Sequence, residues 1–400
     1  MKKYLNIMYA PDASNGGGQQ ASVQSAVLQS QLGPETRRKL STVTYSQSGQ
    51  AQVDIPRDTV IKRMNLQFSA AVNVVYTGAQ AVLSPLGLFA KIVPQCTINA
   101  DGSRNIKVLD LYIMRCMNAL VYDGFGRRAY ATGAGLIAST RLPTQEWLAG
   151  PVNFGVTGAD VVVNESLDID FECYLAYETG RTVTLLYTKN LSTCTLGFQF
   201  ASLSQANQDG NATTGLTFAN ADITITPTII ENRNADVSNG AFDFVETVIR
   251  KQFSQQVSQF AVDLNTGNRL VGLALLAQNG DTAKSLADFV ITDLNLVVNG
   301  STSIMATRFK DVMNDNKGRY GLSEDAYSAG QHALQGFAHL NLLMNGDIRT
   351  GLDTRLANGT SQVQLLVSSA SSAGVDAATY TNPVQLSVMQ QQLIPVPVKA

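Results

Sequence analysis

Three acids alternate with three apolar residues in the stretch SLDIDFE: Asp168, Asp170 and Glu172 stand between Leu167, Ile169 and Phe171. On an extended strand successive side chains point to opposite faces, so the three carboxylates share one face. Clustered carboxylates suit a hard cation such as Ca²⁺, and a spaced pair can hydrolyse a glycosidic bond. The competing reading is a solvated or intersubunit face lying over a buried one. No glycine-turned ligand loop accompanies the acids, which favours that second reading. They are the only metal candidates in the chain, and no catalytic or cofactor-binding residue is assigned.

Other chemistry is thinner. The two histidines, His332 and His339, lie seven apart with Glu324 and Asp325 nearby. On a helix they would share a face, but helical metal pairs usually stand four apart, so packing in a loop or interface is expected. No GxSxG nucleophile elbow occurs. The segment SNGGGQQ lacks the Lys-Ser/Thr of a phosphate loop and reads as flexible. Trp147, the lone tryptophan, reads as a core or junction anchor. Cys96, Cys116, Cys173 and Cys194 form no CxxC pair and have no histidine at zinc spacing. The alternation around Cys173 and Cys194 fits buried free thiols, with a disulfide left open.

The elements that would position these residues are mostly strands. The chain has 400 residues, enough for two or three domains. Hydrophobic residues make up 44% and charged residues only 15%, against about a quarter in an average protein. Gln, Asn, Ser, Thr, Ala and Gly fill the gap. Such a surface suits burial against other copies of the chain, because a buried amide or hydroxyl is offset by one hydrogen bond and a buried charge is not; a secreted protein with neutral polar loops has the same composition. The 29 basic and 31 acidic residues leave a net charge of −2 without blocks. A basic stripe for phosphates is lacking, ETRRKL at 35–40 being too short, so direct nucleic-acid contact is not expected. The apolar run after the first two lysines is too short for a signal peptide, and no stretch reaches the ~20 apolar residues of a membrane span, so a cytoplasmic origin is expected.

Along the chain, Val23, Val27 and Leu28 have helical spacing and stop at Gly33-Pro34, which predicts an N-terminal arm with a short helix over 1–40 and a polar connection. From Ser41 the period changes to two. STVTYS, AQVDIP, VIKRMNLQFSAAVNVVY, ADVVVN, ESLDIDFECYLAYE, RTVTLLYTKN, TCTLGFQFASL and ADITITPTIIE read as strands of an antiparallel sandwich or barrel. ENRNADVSNG (231–240) reads as a linker. Strand grammar then resumes with AFDFVETVIR, SQFAVDL, RLVGLALLAQ, DFVITDLNLVVNG, SQVQLLVSSA and NPVQLSVMQQQLI, before a Pro-rich tail. The segment 318–337 reads as a long, partly helical excursion.

The two halves echo each other. Val53-Asp54-Ile55 falls on Val262-Asp263-Leu264, an offset of 209 (262 − 53); the tight-turn dipeptide Asp101-Gly102 falls on Asn299-Gly300, an offset of 198 (299 − 101). After each turn comes a stripe at helical spacing, Val108, Leu109, Tyr112, Ile113, Cys116 and Met117 in one half and Ile304, Met305, Arg308, Phe309, Val312 and Met313 in the other. Each closes on an asparagine, Asn118 and Asn314, an offset of 196 (314 − 118). Short β-rich segments can agree by chance, but three blocks in the same order argue for duplication of one β-barrel domain, with insertions in the loops.

Two tandem barrels behind a polar arm resemble the double jelly-roll major capsid proteins of tailless, internal-membrane icosahedral double-stranded DNA bacteriophages, the tectivirus and corticovirus groups, with adenovirus hexon a larger relative. The likeness is carried by VDIPRDTVIKRMNLQF and by the two turn–helix devices NADGSRNIKVLDLYIMRCMN and VVNGSTSIMATRFKDVMN, and spans about 41–394. It implies an all-β fold of two eight-stranded antiparallel jelly rolls, with short helices in loops and at the N-terminus. The domains would be an arm (1–40), a first jelly roll (41–231), a linker (232–242), a second jelly roll (243–394) and a tail (395–400). It also implies a non-enzymatic, cofactor-free shell subunit in the virion, made in the host cytoplasm. Such a subunit forms a pseudo-hexameric homotrimer that tiles the capsid around an internal membrane. Penton and membrane proteins would be further partners, with the arm toward the membrane and no nucleic acid bound. Two rivals are a two-jelly-roll glycan-processing hydrolase using the 168–172 acids and a trimeric spike or receptor-binding protein. The first would need a secretory leader and more than 7% aromatic residues; the second would carry fibrous repeats.

Overall fold

The structure is a computed structural model that describes residues 35–76, 82–83, 88–124, 152–153, 160–176, 182–206, 214–218, 223–232, 242–279, 285–286, 290–320, 336–370 and 384–395. The main strands fall into two sets of eight. The first is β1 (Thr36–Lys39), β2 (Gln50–Asp54), β3 (Val60–Tyr76), β4 (Gln95–Ala100), β5 (Arg104–Leu109), β6 (Asp160–Asp170), β7 (Cys194–Gln199) and β8 (Thr224–Asn232). The second is β9 (Phe242–Phe253), β10 (Phe260–Asp263), β11 (Arg269–Asn279), β12 (Ile291–Val298), β13 (Thr302–Arg308), β14 (Phe337–Asn341), β15 (Val363–Ser369) and β16 (Val384–Pro395). Helix α1 (Leu111–Gly124) follows β5 and α2 (Phe309–Tyr320) follows β13.

Both sets have the same strand order. In the first unit β1-β8-β3-β6 form one antiparallel sheet and β2-β7-β4-β5 the other; in the second the orders are β9-β16-β11-β14 and β10-β15-β12-β13. Each strand n has its counterpart at n + 8, and each unit is a jelly roll. The duplication read from the sequence is therefore present strand by strand.

Alternation explains the exposed-face strands. On β3, Met64, Leu66, Phe68 and Ala70 are buried while Arg63, Asn65, Gln67 and Ser69 look outward. Strands β11 and β16 lack this alternation because they are buried on both faces. Leu270, Leu273 and Leu275 of β11 belong to the second unit's core, whereas Val271, Ala274 and Leu276 belong to the first's. A strand with no wet face reads as a continuous apolar run, as RLVGLALLA does.

The repeated devices match in detail. Asp101 and Gly102 have φ of 54° and 75°, Asn299 and Gly300 54° and 69°, the two positive values of a type I′ hairpin turn. Asp101 Oδ1 accepts from Ser192 N at 2.6 Å, and Asn299 Oδ1 accepts from Ser361 N at 2.9 Å. Each hairpin carries a β-bulge, between Ile98 and Asn99 in one unit and Leu296 and Val297 in the other, again 198 apart (296 − 98).

Several expectations are revised. Val108, Leu109, Ile304, Met305 and Arg308 lie on strands, and the helices begin only at Leu111 and Phe309. The helix asparagines also correspond differently. Asn118 donates to Asp168 O at 3.0 Å and accepts from Asp168 N at 2.8 Å; Asn316, not Asn314, does the same with His339 O (2.7 Å) and N (2.8 Å). The true offset is 198 (316 − 118), unchanged from the turn, because Asn314 is exposed and Asn316 is buried. RTVTLLYTKN is largely two 3₁₀ turns flanking a two-residue strand, since its threonine hydroxyls bond backbone groups in place of a ladder: Thr184 Oγ1 accepts from Cys173 N and Thr188 Oγ1 donates to Thr59 O. Of STVTYS only Val43–Thr44 pairs; ETRRKL supplies β1, and Glu231 and Asn232 close β8. The helix at Val23–Leu28, SNGGGQQ, Trp147, 233–240 of the linker, His332, most of the 318–337 excursion and the final tail lie outside the described residues.

An asparagine that caps a neighbouring strand from a helix leaves a backbone N–H and C=O unpaired when truncated, at about 1–3 kcal/mol. Asn118→Ala and Asn316→Ala are expected each to lower unfolding stability by that amount in urea titrations. Asn314→Ala, at the exposed position, is expected to leave it unchanged.

Candidate functional site: the seam between the two barrels

The two jelly rolls share a sheet. Strand β5 of the first unit runs parallel to β9 of the second, with Lys107 opposite Glu246 and Val108 opposite Thr247. This joins β2-β7-β4-β5 to β9-β16-β11 in one continuous sheet. Among the described residues three ion pairs cross the seam: Arg104–Asp243 at 2.5 Å, Lys107–Glu246 at 2.7 Å and Arg250–Asp110 at 2.8 Å.

The middle pair is fully buried, with 0% exposure of both side chains. Its ammonium lies 4.2 Å from the centre of the Phe244 ring, a cation–π contact. The Glu246 carboxylate is fully engaged. Oε2 takes Lys107, and Oε1 accepts from the Tyr174 hydroxyl at 2.6 Å and from Gln391 Nε2 at 3.0 Å. Gln391 Nε2 also meets the Tyr174 hydroxyl, and its Oε1 lies 2.8 Å from His339 Nε2. Lys107 and Tyr174 come from the first unit; Glu246, Gln391 and His339 come from the second. Gly272 on β11 leaves the space they need, since a Cβ there would fall 2.5 Å from Gln391 Oε1 and 3.0 Å from Leu175 Cδ1.

Burial sets the protonation. It pushes the Tyr174 hydroxyl well above its usual range, an effect the neighbouring Glu246 charge reinforces. It also lowers His339 to about 4, against a raising hydrogen bond from Gln391, so the imidazole is neutral near pH 7. Asp243 is raised by burial, with Arg104 opposing.

The sequence-singled residues take other roles. Asp168 and Asp170 lie on β6 and Glu172 just beyond its end; Arg63 Nε meets Asp170 at 2.8 Å, Asn65 Nδ2 donates to Asp168 at 2.8 Å, and Lys62 stands 3.7 Å from Glu172. These acids are tied to basic and amide groups of β3. Among the described residues no group of three or more His, Cys, Asp or Glu could hold a metal. His339 sits within strand β14 and belongs to the seam, not to a helix shared with His332. Cys96, Cys116, Cys173 and Cys194 are all buried free thiols, and burial pushes Cys116, Cys173 and Cys194 up to about 12. Sequence reasoning missed the seam network. Its signals were a lone lysine inside NIKVLDL, a lone glutamate inside FDFVETVI and a glutamine triplet in an apolar strand.

No protein-family model and no curated protein matches the chain. Solved structures do match in fold. The crystal structure of the STIV MCP aligns over 91% of this chain and 97% of its own, with a TM-score of 0.59 at 12% identity. The atomic structure of Sulfolobus Turreted Icosahedral Virus gives the same score at 11% identity over 91% of each chain. PBCV-1 VP54, fitted into the virophage Sputnik, gives 0.54 at 11% identity over 91% and 95%. The fold is that of the double jelly-roll major capsid proteins of icosahedral viruses.

Two predictions follow from the seam. Removing one member of a buried pair leaves an uncompensated charge, costing about 3–5 kcal/mol. Lys107→Met is expected to lose that much in denaturant unfolding, and Lys107→Met with Glu246→Gln to recover part of it. For His339 the folded value is depressed, so its neutral form stabilises fully above 6.5, and that stability is lost as pH falls toward 4. The loss should amount to roughly 3 kcal/mol. It is to be read as the difference between wild type and His339→Gln in melts from pH 7 to 4.

Proposed function

We propose that the protein is a major capsid protein: a non-enzymatic subunit that assembles as a homotrimer and tiles an icosahedral shell. The observation that carries this reading is the pair of jelly rolls with identical strand order, side by side and sharing one sheet, in a fold matched along nine-tenths of the chain by viral capsid subunits. Three such chains present six similar barrels, a pseudo-hexagonal block. Contacts within the trimer close on themselves and contacts between trimers extend the lattice.

The composition supports the same reading. With charged residues at 15%, much lateral surface can be covered without stranding charge. The acids at 168–172 are committed to ion pairs with Lys62 and Arg63, which argues against the glycan-processing alternative. On this reading the protein resides in the virion shell after synthesis in the host cytoplasm. An internal membrane, penton and membrane proteins complete its partners, and the balanced net charge is in keeping with a shell that does not bind the genome directly.

Light scattering on a sizing column, with the peak imaged by negative stain, tests this. The expected result is three times the 42.8 kDa chain, seen as hexagonal blocks that form flat sheets at high concentration. A monomer without hexagonal particles would contradict it.

A further inference from the structure

The middle of the seam holds more than an ion pair. Lys107, Glu246 and Gln391 stand in one row across β5, β9 and β16, since Lys107 is opposite Glu246 and Glu246 is opposite Gln391. Their side chains meet on one face, where the Glu246 carboxylate bridges the other two. Its Oε2 accepts from Lys107 Nζ at 2.7 Å and its Oε1 from Gln391 Nε2 at 3.0 Å. An amine and a carboxamide are thus held on the two oxygens of one carboxylate. The outer strands of the row are two spacings apart, ~10 Å, a gap that a lysine and a glutamine side chain close together.

The carboxamide is also polarised. With Nε2 turned to the carboxylate, Oε1 faces His339, whose Nε2 lies 2.8 Å away. A carbonyl oxygen only accepts, so the neutral imidazole carries its proton on Nε2 and donates it there. Gly272 keeps that oxygen uncrowded, since a Cβ would fall 2.5 Å from it and 3.1 Å from His339 Nε2. The Tyr174 hydroxyl donates to Glu246 Oε1 at 2.6 Å and accepts from Gln391 Nε2, which ties the two groups together. Water is kept out: Lys107, Glu246 and Gln391 are 0% exposed and His339 1%. The Phe244 and Phe171 rings lie 4.2 and 5.8 Å from Nζ.

A nucleophile, a proton carrier, an electrophilic carbonyl and an oxyanion donor are the parts of an acyl transfer. We propose that the folded chain joins Lys107 to Gln391 through an isopeptide bond, with Glu246 as the catalytic acid–base, so that the two barrels become covalently linked. Each chain reacts once, on itself. Lys107 Nζ gives a proton to Glu246 Oε2, which replaces two buried charges by a neutral amine and a neutral acid. The amine lone pair attacks Gln391 Cδ, and the charge that develops on Oε1 is met by His339 Nε2–H. Glu246 then hands its proton to the Gln391 nitrogen and takes the second proton from Nζ. As the carbonyl re-forms, the Cδ–Nε2 bond breaks and ammonia leaves. Glu246 stays protonated beside the new amide, and this pair of buried charges is gone. The alignment that the ion pair enforces is what brings the reacting groups together.

High-resolution intact mass of the full chain, measured in denaturant, tests this after folded protein has been held until its mass stops changing. The expected mass is that of the sequence less one ammonia. Trypsin is then expected to release a branched peptide joining 105–115, uncut at Lys107, to 356–399. A chain at full sequence mass would leave the network an ion pair and overturn the proposal. An ammonia loss mapped elsewhere would also overturn it, such as a succinimide at Asn299, Asn345 or Asn358, each followed by glycine. So would loss of one water with Lys107 joined to Glu246, which would make the glutamate the electrophile. Gln391→Met, which keeps the ion pair, and Glu246→Gln are each expected to stay at full mass; the same cross-link in Glu246→Gln, formed as fast as in wild type, would overturn the role given to the carboxylate. Where a variant fails to fold, the wild-type mass and peptide map decide alone.

Discussion

A lysine ammonium cannot leave water without a partner, and the centre of this molecule is organised by the way Lys107 is met. Its position on an edge strand of the first barrel forces Glu246, on the first strand of the second, to lie directly across. That fixes the register of the parallel pairing, and with it the place of Arg104 opposite Asp243 and Arg250 opposite Asp110. A buried ion pair adds little net stability over well-packed apolar residues. What it adds is penalty for misalignment, because sliding the second barrel by one residue would strand two charges in an apolar interior. The hydrophobic surfaces of β11 and β16 supply the adhesion; the charges supply the alignment.

The rest of the junction follows from that constraint. With the second barrel's sheet pinned against the first, its outer face loses water and becomes apolar, apart from groups that complete the carboxylate's hydrogen bonding. Gln391 is such a group, bonded in turn to His339 and met by Tyr174 of the first barrel, and Gly272 gives it room. The corresponding outer face of the first barrel stays polar, with Arg63, Asn65, Asp168 and Asp170 bonded among themselves. One architecture thus presents a dry face toward its own second half and a polar, charge-neutralised face on the first barrel.

Much of this was legible in the sequence, and the exceptions have physical causes. The alternation of β3 and β6 and the Asp-Gly and Asn-Gly turns were readable because each depends on neighbours in sequence. So was the match of Val53-Asp54-Ile55 to Val262-Asp263-Leu264. The helix starts were placed early because Val108-Leu109 and Ile304-Met305 continue an apolar spacing that a strand accommodates equally well. Asn314 was taken for Asn316 because both lie in one short NDN stretch, and only burial separates them. The seam was out of reach: Lys107 and Glu246 are 139 residues apart (246 − 107), and no local pattern joins a lone lysine in one apolar strand to a lone glutamate in another. The acids at 168–172 showed the reverse limit: Asp168 and Asp170 both meet Arg63, but Glu172 lies past the end of the strand beside Lys62, and both basic partners are on a neighbouring strand.

The central claim is that the buried seam makes two jelly rolls one cooperative body. Native-state hydrogen exchange measures this directly, because amides released only by global unfolding share one free energy. The account predicts that amides of β5 (Arg104–Leu109) and β9 (Phe242–Phe253) exchange together at the slowest rate in the protein, alongside the core strands of both barrels. Exchange of one barrel's core while the other's stays protected, with the seam strands following the weaker barrel, would contradict it.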